Sequence, residues 1–382
     1  MKIVLCGVQT INKGAELMLY AILQEIERKF PDAIVYLPDH LISQPISYFR
    51  TSLNIRKKPI VKIRKWLTKF KIKQLLKRLG VNDVHFQDSY AIKKADFFLD
   101  GSGFHFSDQF NINKHRLLRW QLILKRQKKQ GTKIVFLPQA FGPVNNKSTQ
   151  MALAAVKENA DLVMPRETVS YNYLRNAGFD DSQLRLYPDF TSLVKGTFPK
   201  GYEHLKGAIC IIPNKQMINK GVISQDKYVN LLINIIEFAQ RFNRKVYLLN
   251  HEGKNDEELA YICQKKIGEK IEVVTGLDAL DVKGLIATSY LCISSRYHGV
   301  ASALSSCVPC LATSWSHKYV ELYKDYGQKV GVLPINDTES ILQIVQEYMS
   351  EKKNKEVRQS LLSVLPQIQA NTLKMWNEIW SL

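Results

Sequence analysis

Along this chain, short apolar runs alternate with stretches whose apolar positions recur every three to four residues. The runs at 3–7, 34–37, 97–99, 134–137, 162–164 and 184–187 read as strands buried on both faces. Those at 17–30, 115–129, 150–159 and 170–177 carry a helical period. Residues 190–206 break the rhythm with Gly196, Pro199 and Gly201 and read as a linker. The alternation then restarts, with strands at 208–212, 245–249, 271–274, 291–293 and 311–313 and helices at 228–241, 256–266 and 280–288. The predicted class is α/β, with two Rossmann-like βα domains facing each other across a cleft. The first domain spans 1–190, the second 207–356, and a helical tail over 357–382 can cross back to the first.

Length and composition agree with two domains. A chain of 382 residues is long for one core, and 45% hydrophobic with 23% charged residues is globular, not disordered. Ile3-Val4-Leu5-Cys6 is too short for a signal core, and no apolar run is long enough to span a bilayer, so a cytoplasmic location is expected. Cys6, Cys210, Cys263, Cys292, Cys307 and Cys310 lie mostly in apolar strands and read as reduced core residues. The Cys307-Val308-Pro309-Cys310 spacing copies a redox pair, but no second cysteine or histidine pair stands near it in the sequence. No required metal is expected.

Charge changes the picture at one place. The formal net charge is +19, and twelve basic residues with no acid lie between Arg50 and Gly80, leaving +7 for the rest. Ile60, Ile63, Trp66, Leu67, Phe70, Leu75, Leu76 and Leu79 interleave with those cations at helical spacing, so segment 50–80 reads as a basic amphipathic helix. Such a helix can lie on an anionic membrane surface, giving peripheral contact with the inner face, or dock on a sheet with its lysines solvated. Nucleic acid is not an expected partner, since no recognised motif accompanies the patch.

Candidate chemistry collects where strands end. Ser294-Ser295-Arg296-Tyr297-His298-Gly299 follows the 291–293 strand and opens a helix, which puts a permanent cation and a titratable imidazole beside free helix amides. A carboxylate or phosphate is the natural guest of such a turn, and His298 is placed to move a proton. Read as scaffold, the same turn is an arginine closing a helix over a hydrogen-bonded histidine. Asn12-Lys13-Gly14-Ala15-Glu16 follows the first strand, without the lysine-serine ending of a P-loop or the triple glycine of a dinucleotide site. Asp100-Gly101-Ser102-Gly103, Pro138-Gln139 and Pro165-Arg166-Glu167-Thr168 close later strands, with Glu167 available to pair with Arg166 and Thr168 to cap a helix. The loop Ser314-Trp315-Ser316-His317-Lys318 brings a further lysine.

Taken in order, these motifs together with Tyr187-Pro188-Asp189 resemble the polysaccharide pyruvyl transferase family over almost the whole chain, Ser-Arg-x-His-Gly being the most specific element. The resemblance implies a GT-B-like architecture and transfer of a pyruvyl group from phosphoenolpyruvate to sugar hydroxyls as a ketal. It implies donor binding by Arg166, Arg296 and His298. Ser295, Lys318, Asn12, Gly14, Gly101, Gly103 and Gln139 are further expected binding positions. Phosphoenolpyruvate serves as donor substrate and no cofactor is expected. The acceptor that the resemblance implies is a sugar of a cell-surface polysaccharide or its lipid-linked precursor.

The chemistry asks for cations around a small polyanion, an acid for the methylene carbon, and a base for the hydroxyls. His298 is the expected acid, with Arg296 beside it, and Glu16, His105 and Asp189 are candidate bases. A GT-B-like glycosyltransferase using a nucleotide sugar, or a non-catalytic sugar- or membrane-binding member, are the alternatives.

Overall fold

In the computed structural model, eleven described strands form two all-parallel sheets. The structure describes residues 1–37, 42, 44–57, 94–110, 114–268, 271–313, 317–329 and 331–382. The chain divides into two units, one of Met1–Thr10, Ile22–Tyr187 and Trp376–Leu382, the other of Ile11–Ala21 and Pro188–Met375. Chain order alone would have placed 11–21 with the first half and the last residues with the second.

The first unit holds β1 (Lys2–Cys6), β2 (Ile34–Leu37), β3 (Asn54–Lys57), β4 (Phe97–Asp100), β5 (Lys133–Gln139) and β6 (Leu162–Pro165), in the sheet order β3-β2-β1-β4-β5-β6. Strands β4, β5 and β6 are buried along almost their whole length and apolar except at the ends of β4 and β5, the pattern of a parallel sheet covered on both faces. The order reverses between β1 and β4, so the turns after those strands, Gly7 onward and Gly101 onward, diverge at the switch point where such folds bind ligands. The C-terminus belongs to this unit through Trp380. Its ring stands edge-on to Phe30 and Phe97 at 5.2 Å each, and its indole N–H donates to Glu25 at 3.0 Å.

The second unit holds β7 (Ile209–Ile212), β8 (Val246–Leu249), β9 (Glu272–Val274), β10 (Leu291–Ser294) and β11 (Cys310–Ala312), ordered β11-β10-β7-β8-β9. Here the reversal falls between β7 and β10, which places the Arg296 turn at the switch point. Cys210, Cys292 and Cys310 stand in register on β7, β10 and β11, all free and buried. Cys307, at the end of the Tyr297–Ser305 helix, is free and buried as well.

Four expectations change. The 184–187 run forms no strand, only an isolated bridge from Leu184 to Val163, and its Arg185 and Tyr187 side chains turn to Glu378 at 2.5 and 2.7 Å. Residues Asn54–Lys57, assigned to the basic amphipathic segment, are an edge strand whose alternating burial suits a one-sided position. The remainder of 50–80, from residue 58, lies outside the described residues. The linker begins with a buried 3-10 turn, Phe190–Leu193, and the last helix begins at Glu351, ahead of residue 357. No helix among the described residues is long and apolar enough to cross a membrane.

Candidate functional site

The second unit gathers its polar residues at the carboxyl ends of β7, β8 and β10. Arg296 caps the Tyr297–Ser305 helix through its backbone, with no side-chain cap, and its guanidinium turns to the Gly253–Ile267 helix. There Nε and Nη2 form a fork on Asp256 at 2.8 and 2.7 Å, while Nη1 meets Glu252. Arg296, expected to bind the donor, is therefore held between two carboxylates. Burial lowers the guanidinium to about 10, which leaves it charged at neutral pH. Burial also pushes the Asp256 carboxyl up, but a guanidinium chelating both its oxygens favours the ionised form, and that pairing prevails.

Ser295 is held as closely. Its hydroxyl meets Tyr228 Oη at 2.5 Å and Thr313 Oγ1, and its carbonyl accepts from Asn214 at 2.8 Å and from Tyr319 at 2.8 Å. These buried bonds tie the β7 and β10 turns together, so Ser295 holds the turn.

His298 occupies the first turn of the helix, and its Nε2 lies 3.4 Å from Asp189 Oδ2. That distance serves charge interaction more than a well-formed hydrogen bond. Asp189 is fixed by its other oxygen, which accepts from Thr191 N at 3.0 Å and Thr191 Oγ1 at 2.5 Å. The other face of the imidazole packs on Gly14, where a Cβ would overlap Nδ1. Only glycine leaves that space. Asn12 and Lys13 complete the approach. Asn12 Oδ1 accepts from Gly14 N at 2.8 Å and Ala15 N at 3.3 Å, which makes it the cap of the Lys13–Lys29 helix where ligand binding was expected. Lys13 N donates to His251 O at 3.1 Å, and Lys13 Nζ pairs with Glu16 at 2.7 Å.

His251 was not foreseen. It follows β8 in Asn250-His251-Glu252-Gly253, a polar turn between an apolar strand and a helix, and that pattern was the available signal. Its Nδ1 is buried and has no hydrogen-bond partner among the described residues. Burial, reinforced by Arg296, His298 and Lys13, holds its imidazole well below the ordinary value, so it is neutral at physiological pH.

Behind Asp189 lies a buried lysine. Lys283 Nζ donates to Thr191 O at 2.9 Å, and burial lowers the ammonium to about 8 against the attraction of Asp189. Below about pH 8 both folded and unfolded chains carry this proton. Between about 8 and the ordinary lysine value near 10.4, the unfolded chain binds more, so Lys283 makes stability rise with pH across that window. In thermal melts from pH 7.5 to 10, the wild type is expected to gain on Lys283→Met by roughly 2–4 °C per kcal/mol recovered. Parallel curves would refute this.

Lys318 reaches the rings of Tyr297 and Tyr319, with Nζ 5.7 Å from each centroid, while residues 314–316 of its loop lie outside the described residues. In the first unit, Gln139 Nε2 and Ser102 N both donate to Asp100 Oδ1 at 3.1 Å. Gly101 N donates to Cys6 O at 2.9 Å, and Gly103 turns with a φ of 72°. Arg166 is buried at the end of β6 with its amide on Gln139 O at 3.1 Å. Glu167, not Thr168, caps the Thr168–Asn176 helix, accepting from Ser170 N at 2.8 Å. His105 stacks on Phe110 at 6.1 Å. No group of three or more potential metal ligands occurs among the described residues.

The family model for polysaccharide pyruvyl transferase matches residues 12–317. No curated protein matches the chain in sequence. Among solved structures, HepE of Anabaena in complex with UDP-glucose is similar with a TM-score of 0.61 and 12% identity, covering 100% of both chains. The Staphylococcus aureus MnaA–UDP co-structure gives 0.60 at 13% identity, covering 99% of this chain and 95% of that one. A putative UDP-N-acetylglucosamine 2-epimerase of Listeria monocytogenes gives 0.58 at 14%, covering 94% and 91%. The likeness bears on fold alone: the fold is α/β, as the strand pattern predicts, and GT-B-like, as the family resemblance implies.

Proposed function

Because the chain belongs to the polysaccharide pyruvyl transferase family, we propose that it moves the pyruvyl group of phosphoenolpyruvate onto two hydroxyls of a polysaccharide or lipid-linked sugar, forming a ketal. The observation that carries this reading is His298, set between the Asp189 carboxylate and the bare face of Gly14 at the first turn of a helix with no side-chain cap. Phosphoenolpyruvate needs a proton at its methylene carbon. His298 supplies it, and Asp189 orients the ring and stabilises its charged form. Protonation leaves an oxocarbenium-like carbon to which one sugar hydroxyl adds, returning its proton to His298. A second hydroxyl then replaces phosphate.

The helix amides and Lys318 offer donors to the anion, while Arg296 fixes the turn that presents them. Arg166, in the first unit, is proposed as a further anion-binding residue. No cofactor or metal enters the scheme.

The test is incubation with phosphoenolpyruvate and a panel of lipid-linked and synthetic glycosides, following phosphate release and product mass. Ketal products support the reading, and phosphate release with none of the acceptors counts against it. A nucleotide-sugar transferase draws on fold likeness alone; stronger thermal protection by UDP than by phosphoenolpyruvate would favour it. Segment 50–80 is proposed to bring the protein to an anionic membrane. Association with anionic vesicles is expected at low salt and should weaken sharply toward 0.5 M, as screening requires. Absence of binding at low ionic strength would remove that role.

A further inference from the structure

His251 is a buried imidazole that the scheme above does not use, and its surroundings are unusual for a core residue. The turn that carries it is held on both sides. Its carbonyl accepts from Lys13 N at 3.1 Å, and the next residue, Glu252, bridges to Asn12 and binds Arg296. Lys13 is followed by Gly14, whose Cα lies against the His298 ring. Two imidazoles thus belong to one cluster, whose titratable and charged members are Lys13, Glu16, Asp189, Glu252, Asp256, Arg296 and His298. Within it, His251 Nδ1 meets no described hydrogen-bond partner although fully enclosed. A buried polar atom left so is costly unless a guest uses it.

We propose that His251 is a second donor-binding imidazole, which takes up a proton when phosphoenolpyruvate binds and delivers it to the departing phosphate. This rests on the donor reading above. Without a guest, burial and the neighbouring Arg296, His298 and Lys13 disfavour a charged His251, so it stays neutral. A bound dianion reverses that balance, because a negative neighbour favours the protonated ring. The proton then has a use. When the C–O bond to phosphorus breaks, its electron pair goes to the phosphate oxygen, the Nδ1 proton joins that oxygen, and hydrogen phosphate leaves. The second sugar hydroxyl closes the ketal and its proton passes to solvent, matching the one taken up at binding. His298 gives one proton to the methylene carbon and regains one from the first hydroxyl, so the cycle closes.

The test is calorimetry of phosphoenolpyruvate binding at pH 8, where the donor's phosphate is fully dianionic, in buffers of different ionisation enthalpy. Wild type, His251→Asn and His298→Asn are compared. Uptake of about one proton per donor is expected in wild type, retained in His298→Asn and largely lost in His251→Asn. Loss in His298→Asn with retention in His251→Asn overturns the proposal, as does donor binding without uptake in wild type. If His251→Asn does not fold, wild type and His298→Asn decide: uptake that disappears with His298 overturns it, and uptake that survives supports it. Failure of wild type to bind phosphoenolpyruvate at all would overturn the donor reading and this inference together, whereas binding without uptake removes only the latter.

Discussion

His298→Ala is expected to lower ketal formation by roughly a hundred- to ten-thousand-fold while phosphoenolpyruvate still binds. The imidazole is the acid of the proposed scheme, but the anion is held by helix amides and cations that the substitution leaves in place. Its ring lies on the surface of the Tyr297–Ser305 helix against Asp189, so truncation removes a partner of that carboxylate without opening the sheet core. Phosphate release under saturating donor measures the loss, and calorimetry measures retained binding. A variant within threefold of wild type would dismiss His298 as the acid. One that turns over nothing because it binds nothing would make it a binding residue instead. Asp189→Asn, which keeps shape and loses charge, is expected to fall between the two, through the orientation of the ring.

The largest effect on stability is expected from Asp256→Ala. Asp256 accepts two hydrogen bonds from Arg296 and a third from Lys215 N at 2.8 Å, and it is wholly enclosed. Removing one partner of a buried ion pair leaves the other desolvated and uncompensated, a loss of about 3–5 kcal/mol. Glu252 softens it by remaining on Nη1, which sets the expectation at the lower end of that range. Glu252→Ala, on a half-exposed carboxylate, should cost about 1 kcal/mol or less. Urea unfolding followed by circular dichroism separates the two. A change below 1 kcal/mol for Asp256→Ala would mean that the guanidinium finds water or another carboxylate. The Arg296 turn bears His298, so Asp256→Ala should also lose activity at temperatures where it is still folded.

What could be read from the residues and what could not follows from the range of each interaction. Continuous apolar runs such as Ile209–Ile212 and Val246–Leu249 announce themselves, because a parallel strand covered on both faces has no place for polar side chains. The Arg296–His298 turn was legible for a related reason, as charge at the end of such a run needs an explanation. Its partners were not. Asp256 lies forty residues away and Gly14 far earlier still, and nothing local to Arg296 says that its guanidinium turns to one or that the neighbouring imidazole rests on the other. The cap made by Asn12 and the turn pinned by Ser295 were not legible either, because a side chain in those roles has the same chemistry as one that receives a ligand. Segment 54–57 was absorbed by the helical period downstream of it, since four residues on a sheet edge carry too few positions to establish a period of two.

The row of thiols across β7, β10 and β11 has a practical consequence. Cys210, Cys292 and Cys310 are sealed in the middle of the second sheet, and Cys6 sits on β1 in the first. An alkylating reagent reaches the three only when that sheet parts, so their modification times the opening of that half of the molecule, whereas the partly exposed thiol of Cys6 reacts without any such event.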